Sequence, residues 1–140
     1  MTAKRILFWS RLLSIGLYLP CLALEGVCTT GECGLGALQL FFGFFGFFAA
    51  PANLSWLANP ALFIAWANAM EQDWKVGMVG AIAAPIFAIL PLLMTEIVIN
   101  EGGVATRITG FGLGYWFWLA STIVALIGYL WLLLERRKAD

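Results

Sequence analysis

Histidine is missing from this 140-residue chain, and charge is scarce: eight Lys and Arg balance eight Asp and Glu, together 11% of the residues. Without histidine the commonest general base and the commonest transition-metal ligand are gone. A formal net charge of zero, with no cluster of Lys and Arg on a polar surface, excludes the electrostatic footprint of nucleic-acid binding. Cysteine occurs three times, so a zinc site built on Cys28 and Cys33 would lack two further ligands. No glycine-rich phosphate loop follows a strand and no nucleophile stands with a base. The carboxylates are too few and too peripheral to nominate as a catalytic pair. Catalytic residues, a metal site and a cofactor are therefore not expected, and a non-enzymatic role is favoured.

What the chain has instead is apolar length. It is 62% hydrophobic with a mean hydropathy of +0.90, far too little polar surface for a soluble domain of this size. The stretches 35–70, 76–95 and 108–134 carry no charge, and each meets or exceeds the roughly 17–25 residues that a bilayer helix requires. The expected fold is an all-α integral membrane protein, one domain of four transmembrane helices in a compact bundle.

The spans are placed at about 6–25, 35–57, 76–99 and 112–134. Arg11 interrupts the first, but its stem can extend to the headgroups. A secretory signal peptide competes for this segment, since Lys4 and Arg5 precede an apolar run; Ala23-Leu24-Glu25 lacks the small residues of a cleavage site, so an uncleaved anchor is preferred. Residues 26–34 read as a loop. The long run 35–70 exceeds one span, and Asn59-Pro60 divides it because proline lacks a backbone donor and restricts the residue before it. A short helix over 60–70 is expected along the inner boundary, with a re-entrant 51–60 segment as the alternative. Pro85 and Pro91 should kink the third span, and residues 100–107 read as a second loop.

Orientation follows from counting cations. With the N-terminus inside, Lys4, Arg5, Arg11, Lys75, Arg136, Arg137 and Lys138 lie inside and Arg107 alone lies outside. That bias predicts both termini on the cytoplasmic side, here of a bacterial inner membrane. Trp9, Trp56, Trp66, Trp74 and Trp131 fall near the inner boundary of this scheme, and Trp116 and Trp118 near the outer.

Lipid gives helices no hydrophobic reason to associate, so small residues that allow close approach must select the packing. Gly36, Gly43 and Ala50 recur at sevens on helix two, with Gly46 beside them. Gly80, Ala84 and Ala88 recur at fours on helix three, and Gly110 and Gly114 stand near the outer end of helix four.

Three polar groupings remain. Cys28 and Cys33, on the oxidising outer side, are expected to form a structural disulfide. Catalytic dithiol exchange is the weaker reading because it needs a route for electrons. Glu96 and Arg107 are expected to pair and fix the outer loop, since an ion near hydrocarbon is costly alone. Asn53 and Asn59 give the inner half a polar site, read as asparagines satisfied by neighbouring carbonyls, with a small ligand or lipid headgroup as the alternative. The functional expectation is an accessory, assembly or protective partner acting through helix contacts, in touch with membrane lipid and with another membrane protein or a second copy of itself. A small transporter or channel is the alternative, and an outer-face thiol oxidoreductase the third.

Overall fold

The protein was analysed as a computed structural model that describes residues 3–49, 54–69, 74–98 and 104–139. In chain order the elements are α1 (Ala3–Ala23), β1 (Glu25–Thr29), β2 (Glu32–Leu35), α2 (Gly36–Ala49), a 3-10 turn (Leu54–Leu57), α3 (Ala58–Asn68), α4 (Trp74–Leu93), β3 (Glu96–Val98), β4 (Ala105–Phe111) and α5 (Leu113–Ala139). Among the described residues, α1, α4 and α5 are the helices long and apolar enough to cross a membrane.

The core is three layers stacked along the helices. Leu7, Ala65, Ala69, Met78, Ala81, Tyr129 and Leu132 form the first. Tyr18, Cys21, Ala61, Leu62, Ala84 and Ala125 form the second, and Val27, Ala58, Ala88, Ile97, Tyr115 and Leu119 the third. From first layer to third the numbering rises along α1 and α4 and falls along α3 and α5. Thus α1 and α4 run together, and α3 and α5 run against them. Val27 and Ile97 belong to strands, so the sheet closes the bundle at the third layer. Charge separates the two ends: Lys4, Lys75, Arg136, Arg137 and Lys138 lie on the helix ends beyond the first layer, and Arg107 lies in the sheet.

That sheet is the first departure from an all-α expectation. Its strands run in the order β2-β1-β4-β3, each pair antiparallel. Residues 26–34 are a hairpin rather than a loop, turned by Thr30 and Gly31. Gly31 adopts φ +113°, which a residue without Cβ accepts at no steric cost. The expected second loop contributes β4, where Thr106, Ile108 and the neighbouring residues alternate in burial as a half-covered strand should. Gly110 consequently lies in β4, opposite Cys28, and not on the last helix.

The segment 35–57 is not one helix. As described, α2 has 14 residues, about 21 Å at 1.5 Å each, and a 3-10 turn, not α-helix, occupies Leu54–Leu57. Pro60 does not divide the run, because it sits in the first turn of α3, where the missing donor would have been unpaired anyway. Nor does α3 lie along a boundary. It buries Ala58, Asn59, Ala61, Leu62 and Ala65 and contributes to all three layers. α4 continues through both Pro85 and Pro91.

Candidate functional site

The C-terminal end of α1 leaves carbonyls without intrahelical partners, and three glycines converge on them. Gly36 donates its N–H to the Leu24 carbonyl at 2.9 Å, and Gly112 donates to that of Gly26 at 2.7 Å. A Cβ on Gly114 would stand 2.7 Å from the Glu25 oxygen, 2.8 Å from that of Leu24 and 3.0 Å from that of Cys21. A Cβ on Gly36 would meet the Cys21 carbonyl. Bare backbone at these positions is what brings α2 and α5 against the exit of α1.

Gln39 fixes α2 to the sheet. Its Oε1 accepts the Val27 N–H at 2.9 Å, and its Nε2 donates to the Val27 carbonyl at 2.6 Å. The primary amide thus stands in for a strand at a point where the β1–β2 register shifts. Gly26 and Gly34 leave the room, since a Cβ on either would strike the Gln39 side chain. Further along α2, the Trp56 indole donates to the Leu40 carbonyl at 2.9 Å and lies against Gly43.

Below the sheet, Asn59 joins three elements. Its Oδ1 accepts from the Tyr18 hydroxyl of α1 at 3.1 Å and from the Trp118 indole of α5 at 2.9 Å. Its Nδ2 donates to the Trp56 carbonyl at 3.1 Å. Comparable polar ties recur elsewhere in the bundle. Ser14 donates to the Ser121 carbonyl at 2.7 Å and accepts from the Trp66 indole at 2.9 Å. Tyr115 donates to Ala88 at 2.8 Å and Tyr129 to Ala65 at 2.6 Å.

Between α1, α2, the 3-10 turn and the sheet these contacts leave a cavity of about 270 Å³, lined among others by Tyr18, Cys21, Leu38, Trp56, Asn59 and Trp118. Among the described residues no Asp, Glu, Lys or Arg lines it, so it suits a neutral apolar guest.

The sequence-derived candidates are distributed as follows. Cys28 and Cys33 face each other across β1 and β2 and form a disulfide. Glu96 and Arg107 are cross-strand partners in β3 and β4, but their charged groups do not reach ion-pair distance; among the described residues the ion pair is Glu135–Lys138, at 3.6 Å. Asn59 lies in the core, whereas Asn53 and Ala50 fall outside the described residues. Gly36, Gly43 and Gly46 lie on α2, the first two lining the cavity. Gly80, Ala84 and Ala88 are buried on α4, and Gly114 sits in the first turn of α5. Sequence reasoning overlooked Gln39, Tyr18 and Trp118. Gln39 carried a signal, being the lone polar side chain of α2, and a polar residue in an apolar helix asks for a named partner.

Comparison with family models, curated proteins and solved structures gives no match. The reading of function rests on the geometry above.

Two outcomes follow from that geometry. Replacing Gln39 with leucine is expected to strand the Val27 N–H and C=O, about 1–3 kcal/mol for each buried group left unpaired. Thermal unfolding in detergent should show a loss large enough to release α2, read as faster proteolysis within it. Gln39→Glu keeps an acceptor for the Val27 N–H but sets a carboxylate oxygen against the Val27 carbonyl, with no cation among the described residues lining the site, and should be no better than leucine. Replacing both Cys28 and Cys33 with serine should be milder. The chain-entropy value for so short a loop is about 2 kcal/mol before strain, and β1 stays paired with β4. Insertion should survive with a modestly lower Tm, and mass analysis after thiol blocking should find both sulfurs protected in the oxidised wild type.

Proposed function

We propose that this chain is a non-enzymatic, multi-pass protein of a bacterial inner membrane, with four traversals and both termini cytoplasmic, that serves a larger membrane assembly as an accessory or protective partner through helix contacts. The observation that carries the reading is α2. This helix, 14 residues as described, stands against the bundle on its Gln39 and Gly43 side and turns Phe41 and Phe45 outward, 59% and 47% exposed. The two rings stack edge to face at 5.1 Å, a preformed aromatic ridge of the kind that packs against another helix. Four traversals are supported by the path of the chain and not by helix length: α3, itself only 11 residues, continues from the 3-10 turn and returns through all three layers from the sheet end toward the start of α4. The excess of Lys and Arg at the end away from the sheet supports the orientation.

Native mass measurement of protein extracted in mild detergent tests the role. A defined partner subunit should be retained by the wild type and lost on Phe41→Ser with Phe45→Ser, while the disulfide and secondary structure persist. A wild-type chain recovered alone at every detergent strength would overturn the reading. A reporter active only in the cytoplasm should work when fused after Asp140 and fail in the Thr30-Gly31 turn; the reverse pattern would remove the orientation.

A further inference from the structure

The cavity beneath the sheet has no part in helix–helix association, and its chemistry specifies an occupant of its own. We propose that it holds the hydrocarbon tail of a membrane phospholipid, entering sideways between α1 and α2.

Three features of the site lead there. First, the polar side chains that line it and are described are turned to internal partners. Asn59 Oδ1 takes both the Tyr18 and the Trp118 hydrogens, and the Gln39 amide is engaged at both ends by Val27. No charge lines the space among the described residues, so a charged or strongly hydrogen-bonding guest finds no match, whereas a hydrocarbon does. Second, the volume is about 270 Å³, well beyond the roughly 150 Å³ at which an apolar cavity stays dry and accepts a benzene-sized guest. Third, apolar side chains of the outer surface rim the mouth. Leu38, 51% exposed, and Phe42 line the cavity and also the outer surface of α2, with Leu22 of α1 opposite. The opening lies below the sheet, among apolar side chains on the outer surface of the bundle, and a bundle seated in a bilayer through α1, α4 and α5 would present it to acyl chains. Packing such a chain against Trp56 and Trp118 recovers dispersion contacts that an empty cavity forfeits.

The Gln39 pin explains why the space persists. It holds α2 at the height of the sheet while Trp56 holds it at Leu40, so beyond its contact with the end of α1 at Gly36 the helix is kept from collapsing into the space.

The test uses the intact protein reconstituted in phosphatidylcholine vesicles in which one acyl chain carries a photoactivatable diazirine at its midpoint. After illumination and digestion, adducts are expected on Cys21, 4% exposed, and on Trp118, in addition to those on lipid-facing side chains such as Leu93. Filling the space with Cys21→Phe should remove the Trp118 adduct and leave the Leu93 adduct unchanged. Narrowing the mouth with Leu38→Trp, at an exposed position that folding tolerates, should do the same and stands in if the first variant does not fold. Adducts confined to lipid-facing residues in the wild type would overturn the proposal. So would a Trp118 adduct that survives Leu38→Trp, and so would displacement of the adducts by an equimolar isoprenoid quinone, which would assign the cavity to that class instead. The vesicles hold no other protein, so the partner reading of α2 is not at stake in any of these outcomes.

Discussion

Asn59→Leu is expected to be among the most damaging single substitutions in this chain. Leucine matches asparagine closely enough in size to fill the position, so the effect is not a cavity. It removes one oxygen that accepts from two buried donors, the Tyr18 hydroxyl and the Trp118 indole. Each donor left unpaired away from water carries a penalty of about 1–3 kcal/mol. Interhelical hydrogen bonds in membranes average nearer 0.6 kcal/mol when the separated helices can find other partners. Here the loss is double and shared by three elements, so a total of about 2–6 kcal/mol follows from the unpaired-donor values. The Nδ2 contact to the Trp56 carbonyl is lost as well, which loosens the 3-10 turn and the wall of the cavity with it. Asn59→Asp retains the oxygen but introduces a charge without a cation nearby, and should be no better than leucine. Tyr18→Phe and Trp118→Phe each delete one donor together with its need for a partner, and should be milder than Asn59→Leu. Unfolding in detergent, followed by near-ultraviolet circular dichroism, ranks the four. If Tyr18→Phe proves as harmful as Asn59→Leu, the role given to the shared acceptor is wrong.

The sequence made Asn59 visible as a polar residue in an apolar run, but not its partners, which lie 41 and 59 positions away. The long helices were legible for a simple reason: 76–99 and 112–134 are apolar for a bilayer's length, and α4 and α5 cover most of them, although α4 stops at Leu93 and Glu96–Val98, expected in the third span, form β3. The stretch 35–57 has the same composition, yet it holds a short helix followed by a turn. When every face of a helix is apolar, periodicity carries no information about where the helix stops. The phenylalanines that made one long span seem natural decorate a helix described over 14 residues. The strands were hidden by their brevity. Val27, Cys28 and Thr29 are too few for an alternating pattern to stand out, and the glycines around them read as loop residues. Yet Gly26 and Gly34 are there to admit the Gln39 amide, a contact that depends on α2 already being in place. Local composition reported the absence of a side chain without reporting what occupies its room.

Small residues deliver the second large effect, and the structure sorts them by what a methyl group would strike. At Gly80 a Cβ would lie 2.5 Å from the Ala61 carbonyl oxygen and 3.0 Å from the Ala65 amide nitrogen, both on the backbone of α3. Neither can swing aside, so α3 and α4 must separate along the length over which they share all three layers. At Gly43 the obstacle is the Trp56 indole, whose Cδ1 would be 2.6 Å away. A side chain can turn, but this one would give up its bond to Leu40 in doing so. At Gly110 nothing stands within 4 Å, and a strand position gains from losing the conformational freedom of glycine. The expected order of damage for substitution by alanine is Gly80, then Gly43, then Gly110. Overpacking of this kind typically amounts to about 1–3 kcal/mol, with Gly80 at or above the top of that range and Gly110 near zero or slightly stabilised. Leucine in place of alanine should abolish a folded Gly80 variant altogether, because its branch has no space between two backbones. Phe45→Leu, on the exposed side of α2, serves as the reference for a large apolar change that folding does not feel. The series is read as the fraction of protein remaining monodisperse after heating in detergent. A Gly110→Ala loss as large as that of Gly80→Ala would show that small residues act here through the flexibility of the chain and not through the approach of α3 to α4.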